Sequence, residues 1–209
     1  MFFTRDFNKS IVGDFLTDEM CDGNCQSCHG CDDETIEICT DPTCNCHVTF
    51  ARMYDDVKLP SKREEDGAYD IYARFDDGVD EVWIESGEVY KMKTGLKSAF
   101  SQEFRFRLQE RGSTGMVNLG INAGLIDSGF RGEWIVLLAN DNKDKSICIS
   151  KNYDATTIGN NTIYYPYSKA ICQANLETVP LVDVYEISEE ALMKIPSNRG
   201  SGMLGSSGK

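Results

Sequence analysis

Seven of the nine cysteines lie in the stretch "CDGNCQSCHGCDDETIEICTDPTCNC" near the amino terminus. They are Cys21, Cys25, Cys28, Cys31, Cys39, Cys44 and Cys46. Thiolates separated by two or three residues suit a soft metal ion, and the reduced thiols of a cytosolic protein favour metal binding over disulfides. The spacing predicts a Zn²⁺ site, with an iron–sulfur cluster, disulfides or disordered thiols as the alternatives.

A second chemical signal lies at the other end, in "NRGSGMLGSSG". Arg199 stands in a run of Gly and Ser, and the backbone N–H groups of such a run can face an anion without obstruction from side chains. The segment therefore predicts a phosphate-binding loop, and a disordered end is the alternative.

A third signal is Asp127, in "GLIDSGFRGEW", which separates an apolar strand from a turn marked by glycine. Taken alone, an Asp-Ser-Gly sequence is most simply a turn cap.

Length and charge limit the functions that these groups could serve. A chain of 209 residues suits one main domain. It has neither a run of 18 apolar residues nor an amino-terminal signal sequence, so we expect a cytoplasmic protein. The net charge of −13 argues against binding to nucleic acid or an anionic membrane. Residues 1–46 hold two basic and ten acidic residues, so the body is only mildly acidic and can contain a phosphate site.

From residue 47 onward, the sequence predicts strands as the elements that must position these groups. Short apolar runs alternate with Gly, Asn, Asp and Lys clusters, in "HVTFARMY", "YDIYARF", "EVWIE", "FRFRL", "GEWIVLL", "SICIS", "TIYYPY", "ICQANL" and "LVDVYEI". "SEEALMKI" is the one helix expected, with Ser188 as its cap. The pattern predicts an all-β, jelly-roll-like barrel or sandwich over residues 47–196, a Cys-rich acidic extension over 1–46 and a Gly/Ser-rich arm over 197–209. Cys148 and Cys172, in apolar surroundings, are expected to be buried.

Five stretches of this body, taken in order, resemble the five motifs of the trimeric dUTP diphosphatases (dUTPases). They are "DGAYDIYA", "ERGSTGM", "NAGLIDSGFRGEW", "SKAICQANL" and "NRGSGMLGSSG". The resemblance implies a jelly-roll-like subunit, a homotrimer and active sites built from more than one subunit. It also implies Mg²⁺-dependent hydrolysis of dUTP to dUMP and pyrophosphate, which keeps uracil out of DNA and supplies the precursor of thymidylate.

The resemblance also assigns roles to individual residues. Asp127 would activate the attacking water, and Asp70 would hold Mg²⁺ through bound water. Phe130, where the family has Tyr, would pack on the deoxyribose, with a core aromatic as the alternative. The hairpin from about Leu119 to Arg131 would read uracil through its backbone, including that of Asn122 and Gly124. The residues expected to contact the nucleotide or its phosphates are Arg111, Ser113, Gln173, Arg199, Leu204 and Ser206.

Several positions depart from the family pattern. The second motif can be aligned with the family in two ways that differ by one residue, so Ser113 and Thr114 are alternative candidates for the same role. The Gly-Asp-Arg step of the fourth motif is Ser168, Lys169 and Ala170 here. Leu204 stands where the family has the phenylalanine that stacks on uracil. The segment from Asn140 to Tyr167 is longer than in the family and is expected to be an inserted loop.

Two other functions fit the same residues. One is a catalytically weak, dUTPase-like binding module whose Cys-rich extension recruits a metal or a protein partner. The other is a dCTP deaminase of the same fold, which would release ammonia from dCTP.

Overall fold

The computed structural model of the protein describes residues 47–198 and 200. Several predictions lie outside this part of the chain: the zinc site of the seven cysteines between positions 21 and 46, and the roles of Arg199, Leu204 and Ser206. The chain divides into two compact units after Val179. The boundary predicted near residue 196 therefore lies inside the second unit.

The described residues form thirteen β-strands and two short helices. In chain order these are β1 (Thr49–Arg52), β2 (Tyr69–Ile71), β3 (Glu81–Ile84), β4 (Val89–Lys93), β5 (Leu96–Ala99), β6 (Phe104–Gln109), α1 (Gly112–Gly115), β7 (Leu119–Asn122), β8 (Leu125–Asp127), β9 (Ile135–Asn140), β10 (Ser146–Ser150), β11 (Thr157–Ile158), β12 (Thr162–Pro166), β13 (Cys172–Thr178) and α2 (Glu189–Met193). This composition confirms the predicted all-β class.

The strands of the first unit form four sheets. Their strand orders are β1-β5, β11-β12-β10-β3, β2-β13-β6-β8 and β4-β9-β7. Neighbouring strands are antiparallel except β10 and β12, which run parallel. The buried faces share a core in which the rings of Phe106 and Trp134 lie 5.1 Å apart at 61°, a tilted arrangement that aromatic rings prefer.

The sheet β2-β13-β6-β8 positions the predicted site residues. In β6 the sequence "FRFRL" alternates as predicted, because Phe106 and Leu108 are buried while Arg107 is exposed. On the wet face Arg105 and Arg107 both bind Glu177 of β13, at 2.8 and 2.7 Å. These hydrogen bonds, that from Arg107 first, hold the pKa of Glu177 below its ordinary value.

Two expectations for individual elements were wrong. The segment between Asn140 and Tyr167 is no loop, because it contains β10, β11 and β12 and buries Ile147, Ile149 and Tyr165 completely. "LVDVYEI" forms no strand among the described residues, and Val184 and Tyr185 are 91% and 78% exposed. The second motif contains helix α1.

Other expectations were confirmed. Helix α2 begins after Ser188, whose hydroxyl accepts a hydrogen bond from the N–H of Ala191 at 3.2 Å. Cys148 and Cys172 are completely buried, and burial raises the pKa of the Cys148 thiol to about 12. Among the described residues no helix is long and apolar enough to cross a membrane.

Candidate active site

Asp70 and Arg111 form the centre of the first group of predicted site residues. Asp70 lies in the middle of β2, directly opposite Gln173 of β13. Arg111 lies just before α1, and its Nε and Nη2 donate to the two carboxylate oxygens of Asp70 at 2.7 and 3.0 Å. This two-point geometry fixes the plane of the guanidinium group, since the fork of donors matches the two carboxylate oxygens.

The ion pair with Asp70 also stabilises the charged form of the Arg111 guanidinium group. Partial burial disfavours the charged guanidinium, but the negative charge and hydrogen bonds of Asp70 outweigh it, so the pKa of Arg111 is raised above its ordinary value. Arg111 therefore carries a permanent positive charge, and the side chain is still 27% exposed.

Helix α1 is a single turn that is held together by Thr114. The N–H of Arg111 donates to the Thr114 hydroxyl at 2.8 Å, and that hydroxyl donates to the carbonyl of Arg111 at 3.0 Å. Thr114 is completely buried. Ser113 instead lies beside the guanidinium, with its Oγ 3.2 Å from Nη1 of Arg111. Ser113 and Thr114 were alternative candidates for the phosphate-binding role of the second motif. The hydroxyl of Thr114 is used in hydrogen bonds within the fold, whereas Ser113 is accessible.

An open cavity of about 420 Å³ lies beside these groups. We call it the basic pocket, and its lining consists of Arg111, Gly112, Ser113, Lys169 and Gln173. The side-chain amide of Gln173 donates to the carbonyl of Glu110 at 2.8 Å, which ties β13 to the start of the second motif and leaves the amide oxygen of Gln173 available.

Tyr165 is a residue of this region that sequence reasoning missed. Its hydroxyl donates to the carbonyl of Ala170 at 2.7 Å and lies 3.4 Å from the Oγ of Ser113. Burial raises the pKa of Tyr165, although Ser113 and Arg111 act in the opposite direction. The hydroxyl therefore stays protonated at neutral pH and links the second motif to the fourth.

Lys169 is the other residue that was missed. It stands where the family has the aspartate of its Gly-Asp-Arg step, a position that sequence reasoning treated only as a departure. Nothing in the sequence signals its proximity to Arg111, because the two residues are far apart in the chain. The fold brings both side chains to the same cavity.

Asp127 lies at a different part of the same sheet. It ends β8 and stands opposite Arg105. The N–H of Phe130 closes the following turn by donating to the backbone carbonyl of Asp127 at 3.1 Å. The Asp127 side chain is exposed, and within the described residues its carboxylate has neither an ion pair nor a hydrogen bond. The turn is thus closed by the backbone, and the carboxylate is available.

The residues around Asp127 have defined local geometry. Phe130 is 42% exposed, so it is no core aromatic. Its ring packs over Gly132, where a Cβ atom would come within 2.5 Å of the ring. At Gly124 a Cβ atom would come within 2.4 Å of the carbonyl oxygen of Leu108, so only glycine permits this approach of the backbone to β6.

The expected hairpin around Gly124 has an unexpected arrangement. Strand β7, which ends at Asn122, pairs with β9, whereas β8 pairs with β6. The two strands therefore belong to different sheets, and the chain passes between them at Ala123, which has a φ of +50°. The side chain of Asn122 is exposed beside this crossing.

The structure does not bring Asp127 and the basic pocket together within one chain. Along β6, Arg105 faces Asp127 while Gln109 faces Gln173. These two positions are four residues apart, which is roughly 14 Å at the rise of an antiparallel strand. Asp127 and Gln173 thus pair with opposite edges of β6, near its opposite ends.

Comparison with known proteins supports the resemblance. No protein-family model matches the chain. The deoxyuridine 5′-triphosphate nucleotidohydrolases of two strains of Leptospira interrogans are 32% identical over 97 residues, which is 44% of this chain and 65% of each relative. The chain thus matches slightly less than two thirds of the length of these curated relatives.

Solved structures match over more of the chain. The dUTPase of Staphylococcus bacteriophage 80alpha with dUpNHpp has a TM-score of 0.59 and 18% identity, covering 78% of this chain and 99% of that one. The dUTPase of phage phi11 of S. aureus has a TM-score of 0.53 and 18% identity, covering 68% and 97%. An aspartate-to-asparagine variant of the phi11 enzyme, with a TM-score of 0.53 and 16% identity over 68% and 97%, coordinates a structural Mg(II) ion. The chain therefore has the dUTPase fold, and its resemblance to the dUTPases is confirmed.

Proposed function

We propose that the protein is a dUTP diphosphatase that hydrolyses dUTP to dUMP and pyrophosphate. The observation that carries the proposal is the free, exposed carboxylate of Asp127 within "GLIDSGFRGEW". The similarity to nucleotidohydrolases in sequence and to dUTPases in fold supports it.

Each group has a role that follows from its chemistry. The Asp127 carboxylate, which no neighbour in the described chain neutralises, accepts a proton from the attacking water and orients it toward the α-phosphorus. Arg111 and Ser113 donate to phosphate oxygens, and Gln173 orders the surrounding water through its free amide oxygen. Positive charge and fixed donors are the main requirements of phosphoryl transfer, because the transition state holds its charge on the phosphate oxygens.

The residues present fit a Mg²⁺ ion held through water. Both oxygens of Asp70 already accept from Arg111, so direct ligation would compete with that pair. Mg²⁺ usually keeps several waters and binds through few carboxylates together with substrate phosphates. When bound, the ion would supply positive charge to the phosphate chain, and Asp70 would hold it through water.

We further propose a homotrimer with composite active sites. The strand register supports this, because Asp127 and Gln173 of the basic pocket pair with positions of β6 that lie four residues, roughly 14 Å, apart. A base from one subunit can then complete the pocket of another. An exposed apolar segment supports it as well. Between positions 181 and 187 the large apolar side chains are 50–91% exposed, namely those of Leu181, Val182, Val184, Tyr185 and Ile187. Exposed apolar runs of this kind indicate contact with another protein surface.

Selection of the nucleotide would depend on the turn after β8 and on the sheet crossing before it. The exposed ring of Phe130 offers a flat face to a deoxyribose and leaves no space for a 2′-hydroxyl. The backbone of Asn122 and Gly124 presents N–H and C=O groups that distinguish uracil from cytosine, whose exocyclic amine reverses one hydrogen bond.

The terminal segments retain the roles implied by the resemblance. Residues 197–209 would close over the site of a neighbouring subunit, with Arg199 on the triphosphate and Leu204 and Ser206 near the nucleotide. Residues 1–46 would form a separate extension that binds Zn²⁺ or a protein partner.

Pyrophosphate release from dUTP in the presence of Mg²⁺ tests the proposal. The wild-type protein should release pyrophosphate, Asp127→Ala should be nearly inactive, and Asp154→Ala, which removes an exposed aspartate of the β10–β11 connection, should match the wild type. Equal rates for the wild type and Asp127→Ala would contradict the role of the carboxylate. Ammonia release from dCTP would instead indicate a deaminase.

A further inference from the structure

We propose that Lys169 is a phosphate-binding residue of the basic pocket and recognises the outer phosphates of a nucleoside triphosphate. The inference deepens the proposed function and rests on it for the identity of the nucleotide. Neither the family pattern nor the similar proteins assign this role to the position, which holds an acidic residue in the family's Gly-Asp-Arg step.

The position of Lys169 is fixed by the backbone around it. Its N–H donates to the carbonyl of Pro166 at 3.1 Å, which closes a tight turn at the end of β12. The next residue, Ala170, is only 2% exposed and receives the hydroxyl of Tyr165 on its carbonyl. The lysine therefore projects from an anchored turn into the lining of the basic pocket.

The charge of Lys169 is not compensated by a carboxylate of the described residues, unlike that of Arg111. Arg111 shares its charge with Asp70 at 2.7 Å, and Lys151 pairs with Asp80 at 3.4 Å. Among the residues that the structure describes, no carboxylate forms an ion pair with Lys169. A partly buried ammonium group without a counter-ion favours binding of an anion, since its charge is screened less than in bulk water.

One weak contact orients the side chain. The ammonium group lies 3.4 Å from the hydroxyl of Thr156, which belongs to the segment between β10 and β11. A hydroxyl at this distance steadies the ammonium group without neutralising it. Two of the three donor positions of the ammonium group remain for phosphate oxygens.

Two cationic side chains with different roles thus line the basic pocket. Arg111, already paired with Asp70, offers its remaining donors to one phosphate group in a fixed orientation. Lys169 adds a flexible point charge from another part of the lining, which suits the outer phosphates because they carry most of the charge of the chain. The contribution of Lys169 to binding should therefore rise with the number of phosphates.

Binding of tripolyphosphate and of dUMP, each measured by titration calorimetry with Mg²⁺, separates this role from general electrostatics. Lys169→Met should weaken tripolyphosphate binding roughly tenfold, as expected for loss of a charged hydrogen bond, and should change dUMP binding less than about twofold. Lys169→Arg should restore most of the affinity. Lys151→Met is the matched control, because it removes the same charge from a lysine outside the pocket.

Each outcome bears on the proposal. Selective loss in Lys169→Met with unchanged thermal unfolding supports it. Equal loss in Lys169→Met and Lys151→Met, or no tripolyphosphate binding by the wild type, overturns it. If the selective loss is found but the wild type releases no pyrophosphate from dUTP, the phosphate role of Lys169 stands and the proposed diphosphatase function fails.

Discussion

Two inactive variants of this protein should restore each other's activity when their subunits are mixed. Arg111→Ala removes the fixed cation of the basic pocket, and Asp127→Ala removes the proposed base. Under the proposed composite arrangement, a working site takes the two residues from different subunits. A mixed oligomer then contains some sites in which both contributors are intact.

The size of the recovery follows from this arrangement. In a closed ring of randomly mixed subunits at equal amounts, the subunit that supplies Arg111 is an Asp127→Ala chain in half of the cases. The neighbour that supplies Asp127 is an Arg111→Ala chain in half of those. About one quarter of the sites should therefore be complete, and the mixture should reach about one quarter of the wild-type rate.

Pyrophosphate release from dUTP measures the recovery after the variants are dissociated in mild denaturant and reassembled together. Each variant treated alone gives the background, and wild type treated in the same way gives the reference. A wild-type and Asp154→Ala mixture controls for losses during reassembly and should retain full activity.

A mixture no more active than the two variants separately would refute the composite site, provided that labelled subunits are shown to have exchanged. The separation of roughly 14 Å along β6 would then have to be bridged within a single chain, and the composite site would be wrong.

Three further results are expected. Tyr165→Phe should lower the free energy of unfolding by about 1 kcal/mol in urea denaturation, because the buried carbonyl that the hydroxyl binds loses its donor; an unchanged value would show that this hydrogen bond stabilises nothing. Glu177 has a lowered pKa in the folded state, so its stabilisation is present at neutral pH and is lost as pH falls below about 4.3. The stability gap between wild type and Glu177→Gln should therefore close in acid, whereas Glu64→Gln, at an exposed loop position, should show no gap at any pH. Val184→Asp should weaken oligomer formation in light scattering while Ile158→Asp, which changes an exposed residue of β11, should not; a full-sized Val184→Asp oligomer would exclude this segment from the interface.

The sequence predicted the elements whose local pattern and burial agree. The alternation of "FRFRL" holds in β6 because one face of the sheet packs on the core and the other meets water. Ser188 marked the start of α2 because its hydroxyl satisfies a free N–H of the first turn. Strands such as β4 and β5 were missed, since stretches of four or five residues show too little periodicity.

The apolar stretch "LVDVYEI" shows the opposite failure. Its composition indicates burial, but no strand forms there among the described residues and its side chains are exposed. The apolar composition of a segment indicates that its side chains are buried. It does not show whether the same chain or another molecule buries them.

The sequence by itself determined the chemical groups of the candidate site: an aspartate before a glycine turn, an arginine two residues before a serine, and their order along the chain. Only the tertiary structure decided which of these groups meet. The pairing of β13 with both β2 and β6 brings Asp70, Arg111 and Gln173 together, and the turn after β12 adds Lys169. The same register holds Asp127 four residues away along β6. The physical reason is that strand register is fixed by burial of one whole face of the sheet, a property of the packed strands that no single motif contains.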